Sequence, residues 1–263
     1  MSQAKELPTA RLAGVIETPG ERFVWLEDSA TDFPFYRGEP VAISGRQWLF
    51  VMAMVVVGSL ASAWPIQWPA GIFWQFVPAA LMLGLPLLAL AYVAPGHWKA
   101  IFGRVHSREV MLMFGFALLT FDISGVVAAL VFALASGAPN GVVAEWVGLD
   151  TAGRVALLAE ILPQLIGEEV ITILPFLALL QWLSRSWGIG RKGAVISAWL
   201  ITSVIFGLLH LATYDWHWIQ CIVVIGAARA VLTLPWILTK NIWVSAGAHI
   251  TNDCLLLGVA LWS

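Results

Sequence analysis

The sequence predicts an all-α fold, a polytopic transmembrane helix bundle of about seven spans with room for an eighth, on three observations. Of its 263 residues 60% are hydrophobic and only 11% are charged, against about 25% charged in a soluble domain. The mean hydropathy is +0.84. Apolar runs near the ~20 residues that cross a hydrocarbon core recur from residue 47 onward. No Ser/Gly/Pro-rich linker divides them, so one transmembrane domain over 47–263 is expected behind a polar arm over 1–46.

The arm holds seven acidic and five basic side chains, with Pro8, Pro19, Pro34 and Pro40 spaced through it. It has no apolar core of a signal peptide, so it is expected to stay on the cytoplasmic face. The run Phe33-Pro34-Phe35-Tyr36 is expected to rest on the membrane interface; a partly disordered tail is the other reading.

The spans fall at 47–66, 70–94, 110–136, 154–183, 193–213, 217–238 and 242–262. Asp122 and Gly125 interrupt the third. The fourth is long enough to tilt, or to break near Pro163. The eighth, short or re-entrant, would lie around Val142 to Leu149.

Charge placement tests this topology, because cytoplasmic loops carry the Lys/Arg excess. Lys5, Arg11, Arg22, Arg37 and Arg46 precede the first span; Lys99, Arg104 and Arg108 separate the second and third; Arg185, Arg191 and Lys192 separate the fourth and fifth; Lys240 follows the sixth. Only Arg154 falls on the other side. The pattern predicts a cytoplasmic N-terminus and an integral multi-pass protein, in the inner membrane if bacterial. Trp64, Trp68, Trp98, Trp182, Trp187, Trp216, Trp218, Trp236, Trp243 and Trp262 gather near span ends and read as interface anchors.

The dispersed Lys and Arg residues form no basic face, which argues against nucleic acid. Cys221 and Cys254 lie in apolar runs without metal or disulfide spacing and read as packing residues. The expected partners are the lipid bilayer and a membrane-associated peptide or protein substrate.

Three polar clusters interrupt the late spans: Gly167-Glu168-Glu169, Phe206 to His210, and His249 to Asp253. Lipid-embedded ionisable groups cost several kcal/mol each unless they pair or line a cavity. On the fourth span Glu160, Gln164, Glu168 and Thr172 recur every four residues, a polar stripe facing the bundle interior. Consecutive helical residues point about 100° apart, so Glu168 and Glu169 have different roles. Glu168, on the stripe, is the candidate to face a reacting water; Glu169 is placed to support a neighbouring helix. Phe206 and His210 share a face, with Gly207 permitting close approach of another helix. Asp253 follows His249 at i+4 and is placed to orient its imidazole.

Glu-Glu, then Phe-x-x-x-His, then His-x-x-x-Asp on successive late spans resembles the CPBP family of intramembrane proteases, which includes CAAX prenyl endopeptidases of the Rce1 type and bacteriocin-processing proteins. The resemblance covers about residues 154–263. It implies a water activated by Glu168 and assisted by His210, with His249 and Asp253 stabilising the oxyanion. Hydrolysis can proceed this way with or without Zn²⁺; His210 and His249 are the residues a zinc ion would use, and the sequence does not choose.

One departure from the family pattern matters: its Glu-Glu-x-x-x-Arg motif would place an arginine at Ile173. Glu169 is therefore protonated, solvated or paired from another helix, and Arg229 is the in-span cation that can reach it. Besides an intramembrane endopeptidase, a non-catalytic scaffold or immunity protein on the same fold would account for the clusters. A proton-coupled transporter would also bury Glu and His, but repeat symmetry between halves is missing.

Overall fold

The computed structural model describes residues 21–23, 26–27, 32–63 and 66–262. Lys5, Pro8, Arg11, Pro19 and Trp64 lie outside the described residues. The described chain is all helical: α1 Gly45–Ala63, α2 Ile72–Gln75, α3 Val77–Val93, α4 Ser107–Leu134, α5 Gly141–Gly148, α6 Thr151–Ser186, α7 Arg191–Leu209, α8 Gly226–Thr239 and α9 Ile242–Val259. A π-helical turn, Gln220–Ile225, leads into α8.

Local chemistry sets the helix starts. Ser44 and Gln47 exchange hydrogen bonds in a capping box ahead of α1, each backbone N–H meeting the other side chain. His106 and Glu109 do the same for α4. Asn140, Asp150 and Asn241 cap α5, α6 and α9 with side-chain oxygens that accept from the first turn. Lys240, at φ 52°, reverses the chain between α8 and α9 in the left-handed region.

Five segments are long and apolar enough to cross a membrane: Gly45–Ser62, α4, α6, α7, and Gln220–Thr239. The shorter apolar α3 and the 18-residue α9, diluted by His249, Asn252 and Asp253, fill the other two expected positions. The short eighth segment is α5. Asp122 and Gly125 do not interrupt α4, and α6 runs unbroken through Pro163 and Pro175. Neighbouring helices and side chains in a bundle can meet the backbone groups that proline frees. At 36 residues α6 is roughly 54 Å long, far more than an upright crossing needs.

Helix α6 lies at the centre, packed on α1, α3, α7 and α9, while α4 covers α8 and α9. Between helices in lipid, small residues let backbones close in. Gly58 brings α1 within 3.0 Å of the Leu81 carbonyl oxygen, measured from where a Cβ would stand. At Gly207 a Cβ would collide with the carbonyl oxygen of Cys221, so α7 presses directly on the π turn as the glycine foretold.

Three expectations change. Phe33, Phe35 and Tyr36 are buried in the core, not laid on an interface: the Phe33 ring packs tilted against Phe176 at 5.3 Å, and the Arg191 guanidinium sits 5.2 Å from the Phe33 ring. Trp236 is fully buried and anchors nothing at a surface, whereas Trp182, Trp187, Trp216, Trp218, Trp243 and Trp262 are exposed. Cys221 is a buried packing residue, but Cys254 faces outward.

Beside Phe33, Glu27 hydrogen-bonds Arg191 through both carboxylate oxygens and takes a third bond of 3.1 Å from Lys240, while Arg191 also meets Asp32 at 2.7 Å. The arm thus straps the start of α7 to the α8–α9 turn. Burial alone would raise the Glu27 carboxyl, but hydrogen bonds and charge from Arg191 and Lys240 bring it down to about 2. Burial draws the Lys240 ammonium below its ordinary value even beside Glu27.

Candidate active site

Glu168 and Glu169 lie about midway along α6, 7% and 0% exposed. The 100° step between them sends the two carboxylates in different directions. Glu168 Oε1 accepts a 3.0 Å bond from Gln164 Nε2 one turn earlier, and the Thr172 hydroxyl bonds the Glu168 carbonyl at 2.8 Å. Of the stripe, Gln164 and Glu168 act together on the cavity side, Thr172 bonds only the backbone behind them, and Glu160 lies outside the lining around Glu168.

Glu169 points into the packing. Arg229 of α8 donates to both its oxygens, at 2.6 and 3.0 Å, with both side chains fully buried. The same Oε1 accepts from His249 Nδ1 of α9 at 2.9 Å. Glu169 thus joins α6, α8 and α9, and Arg229 supplies from another helix the cation that Ile173 cannot. The Arg229 guanidinium also lies 5.0 Å from the Phe206 ring.

With Nδ1 committed to Glu169, His249 presents Nε2 to Glu168 Oε2 at 3.8 Å and to Asp253 Oδ1 at 3.9 Å, distances that one small molecule can bridge. Asp253 is held in turn by Asn252 Nδ2 at 3.0 Å. The buried Asn252 Oδ1 has no protein donor.

His210 caps the end of α7, where its Nδ1 donates to the Phe206 carbonyl at 2.8 Å and leaves Nε2 as an acceptor. Its ring lies 4.6 Å from Phe206, which is 6.4 Å from His249. On nominal span boundaries the two histidines differ in depth by roughly 15 Å. The bundle brings both histidines to one cavity all the same.

Glu168, His210, His249 and Asp253 all line one cavity of about 500 Å³ between α4, α5, α6, the end of α7, the π turn, α8 and α9. Much of the remaining wall is apolar, including Phe121, Ala128, Phe132, Ile161 and Leu232. Sequence reasoning missed Asn140, Tyr214 and Gln220 on this wall. Asn140 donates to the Tyr214 hydroxyl at 3.1 Å, and Gln220 bonds both the N–H and the carbonyl of Ala138 at 2.9 Å, tying the loop before α5 to the π turn. Tyr214, four residues after His210 on the line that begins at Phe206, carried a readable signal; the loop contacts did not.

Residues 150–255 match the family model of Rce1-like type II CAAX prenyl endopeptidases. The match runs from the cap of α6 through the motif of α9 and agrees with the resemblance carried by the three clusters. At the family level it supports a CAAX-type intramembrane protease. The Rce1-like region thus contains every member of the Glu168, Glu169, His210, Arg229, His249 and Asp253 constellation, while α1 to α5 lie outside it. No curated protein and no solved structure shows significant similarity to the chain.

Zinc sites take three or four Cys, His or carboxylate donors in close array. Among the described residues no group of three or more such side chains is placed to hold a metal ion. The arrangement does not fit a zinc centre joining His210 to His249.

Proposed function

We propose that the protein is an intramembrane endopeptidase that hydrolyses a peptide bond of a membrane-associated substrate, with Glu168 as general base. One observation carries this reading: Glu168, His210, His249 and Asp253 meet in one cavity, beside a buried Glu169–Arg229 pair that fixes the His249 ring.

Glu168 takes a proton from water while its other oxygen is steadied by Gln164. His210 Nε2, the acceptor end of its ring, orients that water. The water oxygen bonds to the scissile carbonyl carbon, whose oxygen gains the negative charge. His249 as imidazolium donates to that oxyanion through Nε2, and Asp253 does so in its protonated form. The carbon–nitrogen bond then breaks and the departing nitrogen receives the proton from Glu168. Glu169 and Arg229 are positioning residues, since the carboxylate is spent on Arg229 and the His249 ring and the guanidinium on the carboxylate.

The scaffold alternative loses its main support, because the cation missing at Ile173 is replaced by Arg229. The test is cleavage of a membrane-peptide library by purified protein, comparing wild type with Glu168→Gln. The variant keeps size and hydrogen bonding and removes the proton acceptor, so turnover should fall about 10²- to 10⁴-fold with the protein still folded. Wild-type turnover in the variant would overturn the assignment of Glu168 and return weight to the scaffold reading.

A further inference from the structure

A second, smaller cavity of about 80 Å³ lies on the other side of Glu168 and His210, between α1, α3, α6 and α7. The two cavities share Gln164, Glu168, Phe206, His210 and Thr213 as walls. What differs is the far side. The large cavity adds His249, Asn252 and Asp253 and a broad set of Phe, Leu, Ile, Val and Ala side chains, the small one Ser59 and Ser62 of α1 together with Met82, Ile171 and Leu209.

Hydrolysis in a bilayer needs two reactants of opposite solubility, an apolar-flanked peptide and water, at the same carboxylate. An ordered water needs two to four polar partners and about 30 Å³ of liquid volume, so the small cavity has room for roughly two or three. Ser59 spends its hydroxyl hydrogen on the Val55 carbonyl at 2.8 Å, which leaves the oxygen as an acceptor. Gln164 uses one N–H on Glu168, which leaves its carbonyl oxygen and second N–H.

Resting on the protease reading above, we propose that Ser59 and Ser62 of α1, with Gln164, form a water-holding site that supplies the hydrolytic water to Glu168 from the side opposite the peptide. Helix α1 is outside the region that matches the Rce1-like family, so this assigns a reaction role to a part of the chain the match does not reach.

The test compares Ser59→Val and Ser62→Val with Ser59→Thr and Ser62→Thr in full-length protein, on a fluorogenic membrane peptide that wild type cleaves. The Val variants remove the hydroxyl; the Thr variants add the same bulk and keep it. The expected result is a fall in kcat of about tenfold or more in the Val variants, with KM within about twofold of wild type and kcat largely retained with Thr. Unchanged kcat in the Val variants, a rise in KM alone, or equal losses in Val and Thr would each overturn the proposal. A high-resolution structure of the wild type in lipid supplies a readout without substrate. Ordered water within hydrogen-bonding distance of Ser59 and Gln164 is expected, and a lipid-filled or dry cavity overturns the site. Glu168→Gln run in parallel separates the two ideas: its activity reports on the base, while the Val and Thr pairs report on the water path.

Discussion

Arg229 of α8 holds both carboxylate oxygens of Glu169 from 60 positions further along the chain, at 2.6 and 3.0 Å, with neither side chain reaching solvent. Removing one partner of a buried pair leaves an uncompensated charge, at about 3 to 5 kcal/mol, whereas replacing both with neutral groups of similar size is milder. Thermal unfolding in detergent should therefore show Glu169→Gln and Arg229→Met each strongly destabilised, and the double variant less so than the sum. Strictly additive losses would mean that the two groups do not act as a pair.

His210 and His249 face one cavity but are held differently, by a carbonyl and by a carboxylate. Each Ala substitution is expected to lower turnover about 10²- to 10⁴-fold, with the double variant far short of the product because the groups serve one step. Since no donor set among the described residues suits a metal, chelator treatment should leave wild-type turnover intact. Stoichiometric zinc that disappears in either variant would overturn the metal-free scheme.

Gly207 meets the Cys221 carbonyl oxygen, and a backbone atom cannot swing away as a side-chain tip can. Gly207→Ala should destabilise the protein by about 1 to 3 kcal/mol through forced separation of α7 from the π turn. Because Phe206 and His210 flank this contact, turnover should fall as well. An Ala variant with wild-type stability and activity would show that the two helices part at no cost.

The Glu27 carboxyl titrates at about 2 in the folded protein, against an ordinary 4.5. A depressed carboxyl adds stability that is fully present above its unfolded value and is lost as pH falls through its folded value. Melting temperature should accordingly drop between pH about 4.5 and about 2 in wild type, and Glu27→Gln should flatten that part of the profile while lowering the plateau above it. Identical profiles for the two proteins would remove the arm's ion cluster as a source of stability.

The long apolar helices were legible because crossing length and apolarity are written along the chain. Glu168, Glu169, His210, His249 and Asp253 stood out for the same reason, as charge where lipid forbids it. Rotation about each helix axis was much harder to read. A lipid-facing surface is as apolar as an interior, so nothing in the pattern around Trp236 says that it is buried while Trp182 is not. The burial of Phe33 and Phe35 escaped for a related reason. Short aromatic runs suit an interface and a core equally, and only the cations of Arg191 and Lys240 beside the Phe33 ring decide between them. Ser59 and Ser62 carry no signal at all, because isolated hydroxyls are common in membrane helices and usually bond their own backbone, as Ser59 does.

The strap formed by Glu27, Asp32 and Phe33 also bears on where the protein can be cut. A shortened chain that opened at Gly45 would keep every long helix and every member of the Rce1-like region. It would nonetheless leave Arg191 without the carboxylates that meet it and Phe176 without the ring packed against it. A stretch that looks like an appendage by composition is thus packed into the bundle through Glu27, Asp32 and Phe33.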